Sequence, residues 1–266
     1  MRTSRSVNAA PAALATVDGW PVNVPGLRAA VSLIIEAARA GESFAAFTLN
    51  LDHLVKLRRS ETFRRAYRAA RFVTADGAPV ARLARLQSPR VERATGADLM
   101  VPLAQAAARN ALPVFLFGSN AEVLQRAGRD LSERCDGALD IAGTEAPPYG
   151  FDPEGPEADR ALERIAASGA RVCFVALGAP KQEVFAARAV ARGIGCGFVC
   201  IGASLDFLAG EQIRAPSLLR DNGLEWLWRL ATSPRRLGWR YAQCAVLLAD
   251  LTLLAPLRGM LARQKA

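Results

Sequence analysis

Six nearly uninterrupted apolar runs of strand length, separated by longer amphipathic segments, constrain this chain more than any other feature. The runs are Phe44–Leu49, Phe72–Ala75, Pro113–Phe117, Ala138–Ala142, Val172–Leu177 and Gly197–Ile201. They lack the in/out alternation of a strand with one wet face. Runs of this kind suit parallel strands covered by helices on both sides. Between them, helix patterns fall at Leu27–Ala40, Ser60–Ala70, Asp98–Arg109, Ala121–Arg134, Pro156–Ala167 and Lys181–Arg192. Strand–helix alternation of this regularity predicts an α/β fold with a doubly wound, mostly parallel sheet. With 266 residues and 51% hydrophobic content, the chain can bury a full core, which excludes a disordered tail or a disulfide-stapled mini-domain.

Three divisions follow. Residues 1–12 read as a short flexible arm, 13–210 as the α/β core and 211–266 as a helical appendage. The appendage holds nine basic and four acidic residues, so it carries +5 of the net +9. It also holds three of the four tryptophans, Trp226, Trp228 and Trp239, followed by the apolar run Tyr241–Leu257. That run is short for a bilayer span and contains Asp250. A basic, Trp-bearing helix beside an apolar one suits a segment lying in a membrane interface, with a helical hairpin packed on the sheet as the structural alternative. No signal-peptide pattern or spanning segment is expected. The five cysteines form no CxxC pair and read as small buried hydrophobes in a reducing compartment.

A net +9 predicts an anionic partner. A single histidine, His53, weakens readings that need a histidine metal cluster or a His-centred relay. The P-loop pattern is absent, as is Asp-x-Asp, the usual ligand pair of a metal-bridged nucleotide-sugar site; no metal and no cofactor are expected. GIGCG (Gly193–Gly197) precedes a strand instead of following one, which is the wrong context for dinucleotide binding.

Ligands of open α/β sheets bind beyond the carboxyl ends of the strands. The residues there are Thr48, Asn50, Asp52 and His53; Asp76 and Gly77; Gly118, Ser119 and Asn120; Gly178, Pro180, Gln182 and Glu183; Gly202 and Asp206. Small residues at Gly118, Ser119 and Gly178 let helix N-terminal amides approach a phosphate, although glycine ends many strands for turn reasons alone. Asp76 is the leading candidate for a general base, with an Asx-turn aspartate as the structural alternative and His53 as the rival base. Arg93 suits a phosphate contact or a helix cap.

These stations, in this order, resemble the WecG/TagA/CpsF family of bacterial glycosyltransferases (glycosyltransferase family 26), in particular its exopolysaccharide members. The matching residues are Thr48–Asn50, Ala75–Gly77, R-x-T-G-x-D at Arg93–Asp98, G-x-P-K-Q-E at Gly178–Glu183, and D-F-x-A-G…R-A-P…G-L-E-W-L-W-R-L…P-R-R…R-Y from Asp206 to Tyr241. The family's frequent T-P-N proline is Leu49 here, and its G-V-G-G turn reads Cys200–Ser204. The resemblance implies a Rossmann-like core whose C-terminal appendage docks at the membrane and completes the site. It implies inverting, metal-independent transfer of a hexose, such as glucose or an N-acetylmannosamine-type sugar, from a UDP-sugar to a polyprenyl-diphosphate-linked sugar. The setting it implies is the cytoplasmic face of the plasma membrane, in exopolysaccharide or cell-surface polysaccharide biosynthesis, with self-association. Asp76 falls on the family's general base. Thr48, Asn50 and Gln182 fall on pocket positions, Asp206 near the nucleotide, and Arg229, Arg236 and Arg240 where the diphosphate is engaged. A basic nucleic-acid-binding α/β protein is the rival reading from charge alone; with the resemblance, no nucleic-acid partner is expected.

Overall fold

The computed structural model describes residues 9–216, 218–219 and 223–254, apart from the side chains of Arg236 and Leu254. The expected arm falls mostly outside these residues. Six strands form one parallel sheet: β3 (Phe44–Leu49), β4 (Ala70–Ala75), β5 (Val114–Gly118), β6 (Ile141–Glu145), β7 (Val172–Ala176) and β8 (Gly197–Cys200). Their order is β4-β3-β8-β7-β5-β6. Helices α1 (Leu27–Arg39), α2 (Leu51–Arg59), α3 (Glu61–Arg68), α4 (Ala78–Arg85), α5 (Gly96–Arg109), α6 (Ala121–Arg134), α7 (Pro156–Ala167), α8 (Lys181–Arg192) and α9 (Ser204–Leu208) complete the core. The fold is Rossmann-like α/β, as the apolar runs predict.

Period-two alternation sorts each strand between two hydrophobic layers. In β3, Ala45, Phe47 and Leu49 join Phe63, Tyr67, Phe117, Phe185 and Phe198 on one face. Phe44 and Ala46 join Ile34, Phe72, Met100, Leu103, Leu116 and Phe174 on the other. At about 25 cal/mol per Å² of apolar surface, each fully buried Phe or Leu contributes roughly 1.5–3 kcal/mol. All five cysteines lie buried as free thiols. The GIGCG run is packing as well: Gly193 ends α8 in the left-handed conformation, and a Cβ on Gly197 would fall 2.0 Å from the Phe44 ring.

Two features depart from the sequence reading. A two-stranded hairpin, β1 (Ala15–Val17) and β2 (Trp20–Val22), precedes the sheet. Its turn is Asp18-Gly19, both with positive φ (52° and 79°), a turn that Asp-Gly favours between strands. From its end Asn23 reaches the β4 edge: its Oδ1 accepts from Val73 N–H (2.7 Å) and its Nδ2 donates to Arg71 O (2.8 Å). The second departure is β6, which begins at Ile141 instead of Ala138. Gly137 (φ 75°) and the Ala138 N–H bond to Cys135 O complete the turn after α6. As an edge strand, β6 then runs on through half-exposed Gly143 to Glu145, too polar for an apolar run to mark.

Beyond the core lie α10 (Glu225–Thr232), α11 (Pro234–Ala249) and a π-helical turn (Asp250–Leu254). Helix α11 packs along α2, burying Cys244 and Leu247. Arg58 on α2 clamps this end, donating to both oxygens of Asp18 and to Asp250 Oδ2 (2.8 Å). Among the described residues no helix is long and apolar enough to cross a membrane.

Candidate active site

Neighbouring strands β4, β3, β8 and β7 deliver their carboxyl ends to one cavity of about 1520 Å³. Thr48 is the penultimate residue of β3 and Asn50 follows the strand, Asp76 and Gly77 follow β4, Gly178 follows β7, and Ile201 and Gly202 follow β8. The appendage closes the cavity with Trp226, Arg229, Arg235, Arg240 and Tyr241. Helices α2, α4, α5, α8 and α11 all begin on its wall, so the positive ends of several helix dipoles face one space,.

Close packing fixes this arrangement. A Cβ on Gly96, at the start of α5, would fall 2.9 Å from the Ile201 backbone. Gly77 (φ 79°) turns the chain from β4 into α4, and Gly178 (φ 73°) turns it from β7 toward α8 with open space where a Cβ would stand. Backbone of this kind admits glycine at little cost.

Asp76 sits where three elements meet. Its N–H donates to Leu49 O (2.8 Å), tying the ends of β4 and β3. Its Oδ2 accepts from Thr48 Oγ1 (3.2 Å) and from Asn50 Nδ2 (3.4 Å). Burial pushes the carboxyl up to about 6; the Asn50 bond opposes this, Glu225 adds to it, and Thr48 and Arg229 pull it back. Such a group is ionised at neutral pH yet more basic than an ordinary aspartate, which suits proton abstraction. The geometry is that of a site carboxylate more than of a simple turn aspartate.

His53, the rival base, borders the cavity too, but its ring is buried and bonded inward. Tyr67 OH donates to Thr48 O (2.8 Å), so it accepts from His53 Nδ1–H across 2.7 Å. The other nitrogen, Nε2, lies 3.9 Å from Glu183 Oε1. Burial pulls the imidazole down to about 4, leaving it neutral at pH 7. The histidine thus props the β3 end that carries Thr48.

Gln182, 3% exposed, lines the cavity opposite. Its Oε1 accepts from Gly202 N–H (3.1 Å) and its Nε2 donates to Glu183 Oε1 (2.7 Å). Arg93 also lines the cavity, its Nη2 3.7 Å from Asp98 Oδ2, and Asp98 in turn pairs with Arg214. Arg229 lies over the Phe207 ring at 5.1 Å, with its Nε 3.6 Å from Glu225. Arg240 Nε stands 3.9 Å from Asp52 Oδ1. The expected contribution of Arg236 rests on a side chain outside the described residues.

Three expected nucleotide residues are not brought onto the cavity wall. Gly118 ends β5 and Ser119 follows it, and the sheet order places β5 beyond β7. Glycine is needed at 118 because a Cβ there would fall 2.3 Å from Ala176 O. Ser119 Oγ donates to Asp206 Oδ1 (2.7 Å), and Asp206 Oδ2 accepts from Gln212 Nε2 (2.9 Å). This trio anchors the start of the appendage to the sheet. Gly178, by contrast, does line the cavity.

Sequence reasoning passed over Lys56 and Glu225, which also line it. Lys56 donates to Asp52 Oδ2 (2.7 Å) one turn earlier on α2 and to Ala179 O (3.0 Å) across the cavity floor. Only the i,i+4 spacing from Asp52 could have marked it. Among the described residues no group of three or more His, Cys, Asp or Glu is placed to hold a metal ion.

The sheet, the strand-end carboxylate and the arginine-bearing appendage thus line one cavity. Residues 15–260 match the sequence model of the Glycosyl transferase WecG/TagA/CpsF family. The match covers most of the chain, which accordingly belongs to this family of glycosyltransferases of cell-surface polysaccharide biosynthesis.

Proposed function

We propose that the chain is an inverting hexosyltransferase that moves a sugar from a UDP-sugar to a polyprenyl-diphosphate-linked saccharide at the cytoplasmic membrane surface. The observation that carries this reading is Asp76, a half-buried carboxylate held by Thr48 and Asn50 in a cavity that Arg229, Arg235 and Arg240 also line. The cavity, about 1520 Å³, exceeds the roughly 300–1,000 Å³ of a pocket for one small ligand. A transferase needs that room, because donor and acceptor are bound together.

In this mechanism Asp76 takes the proton of the acceptor hydroxyl as its oxygen attacks the anomeric carbon from the side opposite the leaving UDP. One C–O bond forms, the bond to the diphosphate oxygen breaks, and the configuration inverts. The growing diphosphate charge is stabilised by the appendage arginines and the helix N-termini, preorganised donors that need no divalent ion. A base of this kind contributes about 10²–10⁴-fold in rate.

Membrane contact falls to the appendage. Trp239 (76% exposed), Val246 (72%) and Leu253 (62%) leave large apolar groups uncovered beside its arginines. Such a combination favours an anionic lipid surface. Incubating the protein with bacterial membranes and a panel of UDP-sugars, followed by mass analysis of the lipid products, tests the reading. One donor should extend the lipid-linked acceptor by a single hexose, with EDTA making no difference. A panel without any transfer, or loss of the reaction on chelation, contradicts it.

A further inference from the structure

Behind the cavity wall lies a carboxyl that the mechanism above does not use. Glu183 is fully buried, and burial pushes it up to about 7, opposed by its bond from Gln182. Its Oε1 accepts the Gln182 Nε2–H at 2.7 Å, while its Oε2 has no hydrogen-bond partner among the described residues. Burying a carboxyl so incompletely satisfied costs stability, so packing alone gives no reason for it.

The consequence for Gln182 is definite. An amide can be flipped, exchanging its oxygen and nitrogen ends. Here the Gly202 N–H requires an acceptor on one side and the Glu183 oxygen requires a donor on the other. Flipping would set N–H against N–H and oxygen against oxygen. Both neighbours therefore specify one orientation, and the second Nε2–H remains for the cavity that Gln182 lines. Gly202 and Gly178, after the ends of β8 and β7, line the same cavity.

We propose that Glu183 is a positioning residue that locks the Gln182 amide with an N–H aimed into the cavity, making Gln182 a fixed donor to an oxygen of the bound nucleotide-sugar. This rests on the glycosyltransferase reading given above. Glu183 never touches substrate; it acts through Gln182.

The test is a double-mutant cycle on the full-length chain with the UDP-sugar that the panel identifies. Glu183→Leu removes the acceptor and relieves the buried carboxyl, so the fold should be as stable or more so. Loss of one oriented hydrogen bond should lower kcat/KM for the donor about tenfold to hundredfold. Glu183→Gln, whose amide oxygen can still accept, should stay within about threefold of wild type, a change smaller than one weak hydrogen bond. In a Gln182→Ala background, Glu183→Leu should cost less than about twofold more, because residues acting as one unit are non-additive. Additive losses, or a Glu183→Leu enzyme within threefold of wild type, would overturn the proposal. If Glu183→Leu does not fold, Glu183→Met runs the same cycle.

A readout without turnover keeps this separate from the reading of function. In ¹⁵N-edited NMR spectra, one Gln182 side-chain proton should be protected from solvent exchange in wild type and in Glu183→Gln, and unprotected in Glu183→Leu. If no UDP-sugar is transferred yet this pattern appears, the functional reading fails and the lock stands. If transfer occurs and the pattern is absent, the lock fails alone.

Discussion

Asn50 joins the fold to the chemistry: its Oδ1 caps α2 by accepting the His53 N–H (2.9 Å), and its Nδ2 points at Asp76 Oδ2, 3.4 Å away. The cap fixes the amide so that its nitrogen end faces the carboxylate. Asn50→Ala should therefore cost about 1 kcal/mol through the lost cap. It should also raise the Asp76 pKa further, because the Asn50 bond holds it down. Urea titration reads the first effect. The second appears as an acid limb of kcat/KM displaced to higher pH, and an unmoved limb would disconnect Asn50 from the base.

In the wild-type enzyme, activity should fall as pH drops through about 6, where the Asp76 carboxylate, the ionised base, becomes protonated,. A limb near the ordinary aspartate value of 3.8 would mean that the group titrating is not a buried one. The profile of kcat/KM against pH in the free enzyme decides this.

Glu183 makes a separate prediction for stability. Its folded pKa, about 7, lies above the ordinary 4.5, so between these values the native state holds a proton that the unfolded chain has released. Stability should then fall as pH rises from 4.5 through 7. Glu183→Gln removes this penalty, and its gain over wild type should grow by about 1–3 kcal/mol between pH 5 and pH 8. Denaturant midpoints at both pH values measure it, and a gain independent of pH would contradict the assignment.

How much of this the sequence carried depends on whether the responsible contacts are local. The inner strands β3, β5, β7 and β8 announce themselves because each is buried on both faces, and Asp76, Thr48 and Asn50 are legible because strand ends in such sheets converge on ligands. Strand order is not local. Gly118 and Ser119 carry the same signal as Gly178, yet β5 lies beyond β7, so only Gly178 reaches the cavity. Asp206 reads as a site acid until its partners, Ser119 and Gln212, show both oxygens engaged. The Asp18-Gly19 hairpin was legible in principle, but its three-residue strands are too short to stand out as periodic.

The appendage should hold the protein at a lipid surface through side chains away from the cavity. Replacing exposed Trp239 and Val246 with Ser should lower the partition coefficient onto anionic vesicles about tenfold or more, given the apolar area removed. Turnover of a short-chain, water-soluble acceptor should be unchanged. Vesicle sedimentation measures the partition, and binding equal to wild type would remove these residues from the membrane face.

The central claim is that Asp76 is the base of a sugar transfer. Its most direct test is Asp76→Asn, assayed for transfer from the UDP-sugar to the lipid-linked acceptor and, by calorimetry, for UDP binding. Turnover should fall by about 10²–10⁴-fold while the Kd for UDP stays within a few-fold of wild type. Turnover within a few-fold of wild type would contradict the account.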